Sequence, residues 1–166
     1  YQPAVRSPVI IGLLSNRIFG NFILEADFLQ TGKDYGHRDM CLFFGFQDPT
    51  HFYYVHLATT ADDHAHNIFV VNGADRIKIA EKTTEGIDWK RDFWHQVRIE
   101  RNLADGAIRA YFDNLATPIM VAHDNSFGTG YIGIGSFDDS GKIDNLRIWS
   151  FDALEKPANF YTKILH

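Results

Sequence analysis

The sequence predicts an all-β domain of paired antiparallel sheets, and three observations carry that prediction. Apolar residues recur with a period of two through most of the chain. Turn-forming clusters interrupt these runs at short, regular intervals. Helical periodicity is nearly missing: residues 87–90 could make one turn, and residues 153–161 contain Pro157, which blocks a long helix. Short strands with such punctuation describe a sandwich or barrel. The chain has 166 residues, of which 45% are hydrophobic and 22% charged, the balance of one globular domain rather than a disordered tail. No linker, repeat or low-complexity run divides it, so residues 1–166 read as a single domain.

Taken in order, residues 9–14 are a weak first strand. Residues 22–28 alternate clearly, with Phe22, Leu24, Ala26 and Phe28 on one face and Glu25 and Asp27 on the other. Residues 40–47 and 52–58 follow, joined by the turn Asp48-Pro49-Thr50. In this hairpin Leu42, Phe44, Phe46, Tyr53, Val55 and Leu57 are expected to face the core. Parity then sends Phe43, Gly45, Gln47, Phe52, Tyr54 and His56 to the opposite face. Residues 67–71 form the next strand, and 76–81 a weaker one. Residues 94–101 and 107–113 make a second hairpin through Asp105-Gly106, a pair suited to a tight turn. Residues 131–137 and 143–149 complete the set. Trp94, at the head of its strand, is assigned to the core, whereas Trp89 lies in a loop.

Several function classes are excluded at this level. The net charge is −5, from 16 Lys and Arg against 21 Asp and Glu, and no basic stripe offsets it, so a nucleic-acid partner is not expected. No uncharged stretch exceeds 13 residues (49–61 and 125–137), far short of the ~20 residues of a membrane helix. The single cysteine, Cys41, can form no internal disulfide and sits in an apolar run, where a thiol packs as a small hydrophobe. The chain begins with Tyr1, so its compartment is not read from its start. What stands out is an excess of aromatics, 14 Phe, 7 Tyr and 3 Trp, together with eight His.

Certain runs carry a resemblance. The segments FILEADF (22–28), LFFGFQDPTHFYYVHL (42–57), WHQVRIER (94–101), IRAYFDN (108–114), GYIGIGSFDD (130–139) and IDNLRI (143–148) resemble, in order and spacing, laminin-G-like and concanavalin-A-like domains. Within that group the sequence is most similar to bacterial domains classed with 3-keto-disaccharide hydrolases and family-16-like glycoside hydrolases. The resemblance implies a two-sheet antiparallel β-sandwich, a jelly roll, that handles polysaccharide or oligosaccharide on its concave sheet. It also implies a secreted or periplasmic location. The same fold serves lectins, binding modules, hydrolases, lyases and adhesion domains, so the fold alone does not choose among them.

The chemistry narrows the choice. Family-16 hydrolases carry two catalytic glutamates on one strand, and here Glu25 and Asp27 supply the first members while Gln30 stands where the last glutamate would be. An amide cannot transfer that proton, so retaining hydrolysis is not expected. Lyases of this fold use Tyr and His with a cation against a uronate. Tyr54, His56 and Arg38 are the corresponding catalytic candidates, with His37, His51, His64 and His66 nearby in sequence. Phe43, Gln47, Tyr54, His56, His64 and Arg38 are the substrate-binding candidates, because sugar rings pack on aromatic faces while amides, imidazoles and guanidinium groups bond hydroxyls. Asp62-Asp63-His64-Ala65-His66 offers a transition-metal arrangement if His64 and His66 share a strand face. Relatives of this fold hold Ca²⁺ through an aspartate at the head of the last strand, and Asp144, with Asp139 near it, matches that position. The leading reading is carbohydrate recognition. The alternatives are a polysaccharide hydrolase or lyase using the His/Tyr/Arg set, and an adhesion or interaction domain without a sugar ligand. The oligomeric state is left open.

Overall fold

The computed structural model describes residues 5–8 and 10–160. Among them are fourteen strands and no helix: β1 (Ile10–Leu13), β2 (Arg17–Ile18), β3 (Phe22–Gln30), β4 (Asp39–Asp48), β5 (His51–Ala58), β6 (Asn67–Asn72), β7 (Ile77–Lys78), β8 (Lys82–Thr83), β9 (His95–Arg101), β10 (Ala107–Phe112), β11 (Met120–His123), β12 (Tyr131–Ser136), β13 (Gly141–Trp149) and β14 (Leu154–Glu155). They assemble into two six-stranded sheets, ordered β1-β12-β4-β5-β6-β7 and β13-β3-β9-β10-β11-β8, and every pairing is antiparallel. A small third sheet pairs β14 with β2. The fold is a β-sandwich jelly roll: the alternation predicts its paired antiparallel sheets, and the resemblance implies the jelly roll.

The core lies where the two period-two patterns meet. Leu42, Phe44, Tyr53, Val55, Leu57, Ile68 and Val70 from the first sheet pack on Phe22, Leu24, Ala26, Phe28, Val97, Ile99, Ile108, Ala110 and Met120 from the second. Each fully buried side chain of this kind contributes roughly 1.5–3 kcal/mol. Both predicted hairpins form. Asp48 Oδ1 accepts from the Thr50 amide at 2.7 Å, and Gly106 adopts the left-handed φ of 77° that its turn demands.

Three expectations are corrected. Phe46 does not join the core. Gly45 takes a φ of +56° and the β4–β5 register slips between Phe44 and Asp48, so the bulge turns Phe46 to the opposite face, against Phe52. Trp94 is not in the core, and Trp89, whose loop position left its role open, is. Trp89 is buried and donates its indole N–H to the Arg38 carbonyl at 3.1 Å, while Trp94 stands exposed ahead of β9. The strand β11 was not expected; four residues with only Met120 and Ala122 turned inward are too short a pattern to stand out.

The largest correction concerns the far face of the first sheet. Phe43, Phe46, Phe52, Tyr54, Phe69, Val71 and Tyr131 share it, as parity requires for all but Phe46, but it is not open. Val5, Ile18, Ala158 and Phe160 close over it, making a second apolar cluster outside the sandwich core. Phe43, Phe52 and Tyr54 are completely buried there. The aromatic density of the sequence therefore serves two stacked layers of packing on one sheet.

Candidate functional site

Of the residues expected to hold substrate, Phe43, Tyr54 and His56 come together in a buried cluster, while Arg38, Gln47 and His64 lie apart from it. Tyr54 stacks on Phe43 and Phe69 with ring centroids 5.7 and 5.1 Å apart, and its buried phenol is pushed well above its ordinary pKa by loss of solvent. His56 is buried beside it. Gln47 is exposed, but its amide ties the β4 bulge to a loop, donating to the carbonyls of Gly45 and Thr129 at 3.0 and 2.7 Å. Arg38 lies elsewhere: its guanidinium donates to the Gln30 carbonyl at 3.1 Å and lies 3.8 Å from Asp34, in a cleft of about 350 Å³ shared with Thr59 and Trp89. A sugar cannot touch Arg38, Phe43, Tyr54 and His56 together without displacing the covering layer.

The histidines likewise act separately. His37 pairs with Asp62 at 2.5 Å and His51 with Asp48 at 2.9 Å. His64 is exposed, whereas His66 takes a φ of +49° that breaks strand parity and turns it inward to the Thr84 hydroxyl at 2.9 Å. The pair expected to share a metal thus diverges. Asp139 does stand with Asp39 and Asp138 in a close acidic group, whereas among the described residues Asp144 belongs to no such group of three. Asp144 lies opposite Asp27 on the outer face of β13.

That outer face of the second sheet is open to solvent. Its rows follow from register. Trp149, Ile23, Glu100 and Arg109 align across β13, β3, β9 and β10; Arg147, Glu25, Arg98 and Tyr111 form the next row; Asp144, Asp27 and Gln96 the third. Arg98 organises the middle. Its Nε and Nη2 donate to Glu25 Oε1 at 2.8 and 2.5 Å, its Nη1 lies 3.7 Å from Glu100, and its guanidinium sits over the Tyr111 ring at 5.9 Å. The Tyr111 hydroxyl donates to Glu100 at 3.0 Å, and burial together with that bond raises its pKa. Asn145, at the β13 bulge with φ +52°, donates to Asp27 at 2.6 Å.

Next to this network lies a groove of about 750 Å³ lined by Asn21, Ile23, Arg101, Trp149 and Phe151. Trp149 is 50% exposed and Phe151 88%, so two aromatic faces meet solvent at its rim. Its floor is rigid. Asp152 accepts the Gly20 and Asn21 amides at 3.2 and 2.9 Å and the Asn21 side chain at 2.7 Å, which clamps the turn before β3 to the turn after β13. Sequence reasoning identified Glu25 and Asp27 on this face but missed Arg98, Glu100, Tyr111 and Trp149. Cross-strand register alone joins them, and no spacing along the chain reports it.

The architecture defines a jelly-roll β-sandwich with one face sealed and the other open, polar and flanked by aromatics. Neither a family model nor a curated protein matches the chain. Among solved structures it is similar to the carbohydrate-binding module CBM66 from Bacillus subtilis, with a TM-score of 0.61, 22% identity, and coverage of 87% of this chain and 90% of that one. It is also similar to two proteins of Parabacteroides distasonis ATCC 8503 provisionally described as glycosyl hydrolases. One gives a TM-score of 0.57 at 10% identity, covering 90% of this chain and 78% of that one. The other gives 0.53 at 15% identity, covering 91% and 92%.

Proposed function

We propose that the chain is a carbohydrate-binding domain that holds a polysaccharide or oligosaccharide on the outer face of the β13-β3-β9-β10 sheet. The observation that carries this reading is the juxtaposition of the exposed Trp149 and Phe151 with the Glu25–Arg98–Glu100–Tyr111 network. Aromatic rings supply C–H stacking, and fixed carboxylates and guanidinium groups supply bidentate contacts to adjacent hydroxyls. The likeness to a carbohydrate-binding module supports it, and such a partner would place the chain outside the cytoplasm. Binding is favoured over hydrolysis because the Arg98 guanidinium lies between Glu25 and Glu100 and holds Glu25 Oε1 in two hydrogen bonds. A thermal-shift screen against a polysaccharide panel, followed by calorimetry on each hit, tests the reading. Saturable stabilisation without release of reducing ends or unsaturated products is expected. Turnover of any hit would make the domain an enzyme, and a blank panel would favour an interaction domain.

A further inference from the structure

The sealed side of the first sheet holds a polar cluster that the proposed function does not use. Cys41 on β4 and His56 on β5 are directly opposed across the ladder, and Asp39, two residues before Cys41, shares their face. All three are buried, at 0%, 3% and 0% exposure for Cys41, His56 and Asp39. Their donor atoms converge: Cys41 Sγ lies 3.1 Å and His56 Nε2 3.3 Å from Asp39 Oδ2, and one ligand atom from each lies within 4.8 Å of the other two. The polar atoms are poorly satisfied. The His56–Asp39 approach is misaligned for a hydrogen bond, so both ring nitrogens of His56 lack a partner, as does Asp39 Oδ1. Buried polar groups left in this state are costly, and a rigid central ladder cannot move to relieve them.

We propose that Asp39, Cys41 and His56 form a buried transition-metal site of zinc type. Thiolate, imidazole and carboxylate are the donors zinc prefers, and tetrahedral coordination at ordinary bond lengths sets donor atoms about 3.4–3.6 Å apart. The observed 3.1 and 3.3 Å separations reach that spacing with shifts of a few tenths of an ångström. With three protein donors, the fourth tetrahedral position falls to a water. Thiolate and carboxylate together neutralise the divalent charge, and the proton displaced from Cys41 passes to solvent. The Phe137 amide, donating to Asp39 Oδ2 at 3.1 Å, fixes the carboxylate from outside. The site would pin β4 to β5 beneath the covering layer, away from the carbohydrate face.

Because Cys41 is the only cysteine, cobalt offers an unambiguous probe. The full chain is stripped with chelator and titrated with Co²⁺ or Zn²⁺. One ion per chain, a near-ultraviolet sulfur-to-cobalt charge-transfer band and a rise in melting temperature with Zn²⁺ are expected. Cys41→Ser should abolish the band, and His56→Gln should weaken binding at least tenfold. Should either variant fail to fold, wild type still decides the matter: folded protein saturated with cobalt that shows no charge-transfer band overturns the site. So does stabilisation by Ca²⁺ and Zn²⁺ alike without that band, which would place a hard cation at Asp138 and Asp139 instead.

Discussion

Glu25 and Arg98 face each other across β3 and β9, and Arg98 reaches from Glu25 to Glu100. One guanidinium thereby ties together two carboxylates that a hydrolase would need to keep independent. Retaining hydrolysis requires two carboxyl groups ~5–5.5 Å apart, one giving up a proton and one attacking. Here Arg98 donates two N–H bonds to Glu25 Oε1 and lies 3.7 Å from Glu100, so one cation holds both carboxylates. No release of reducing ends from laminarin is therefore expected from wild type or Glu25→Gln, and the variant should instead lose about 1 kcal/mol of stability with the half-buried charge pair. Turnover in wild type that vanishes in Glu25→Gln would show the carboxylates to be catalytic.

Tyr54 belongs to packing, so its truncation should act on stability. Tyr54→Ala removes a fully buried ring stacked between Phe43 and Phe69 and should cost about 3–5 kcal/mol in chemical denaturation. Tyr54→Phe deletes only a hydroxyl that lacks a hydrogen-bond partner, and should be neutral or stabilising by up to ~1 kcal/mol. An alanine variant of unchanged stability that binds glycan more weakly would mean that the covering layer opens.

These two cases mark how far the sequence was legible. Alternation in β3, β4, β5, β9 and β13 reports which side chains share a face, and the sheets obey it wherever no bulge intervenes. Alternation does not report what lies on that face. Val5, Ile18 and Phe160 seal Phe43 and Tyr54 from both ends of the described chain, a long-range event with no local signature. Polarity is the better guide to solvent: Glu25 and Asp27 mark the surface that stays open. Their partners Arg98, Glu100 and Trp149 emerge only from register. Left-handed residues account for two of the misplacements, Phe46 after Gly45 and His66 itself, because each reverses the parity on which its assignment rested.

Trp149→Ala should weaken binding of any glycan found in the panel by ~1–2 kcal/mol, five- to thirtyfold, through lost ring stacking. The side chain is half exposed, so the melting temperature should move little. Calorimetry on wild type and variant with the same hit checks this. Unchanged affinity would move the ligand away from the groove.

His66 makes stability depend on pH in a defined window. Its ring is completely buried, with Nδ1 accepting from the Ala58 amide at 3.4 Å and Nε2 meeting the Thr84 hydroxyl at 2.9 Å, a pattern that needs the neutral ring with its proton on Nε2. Burial, and then the charge of His56, lower its pKa from 6.5 to about 4. Between those two values the unfolded chain binds the proton and the folded one does not, so acid favours unfolding. The stabilisation is complete above pH 6.5 and is lost as pH falls through about 4, amounting to about 3 kcal/mol across the window. The carboxylates of Asp48, Asp62, Asp124 and Asp152 are held below their ordinary value of 3.8, so their contributions fade only at still lower pH. His66→Asn is the informative substitution, because asparagine tolerates the φ of +49° and does not titrate. Urea denaturation from pH 7.5 to 4 should give a curve that falls more shallowly for the variant than for wild type, whatever constant offset the lost packing adds. Parallel curves would mean that the imidazole is solvated, and that its proton plays no part in the acid sensitivity of the fold.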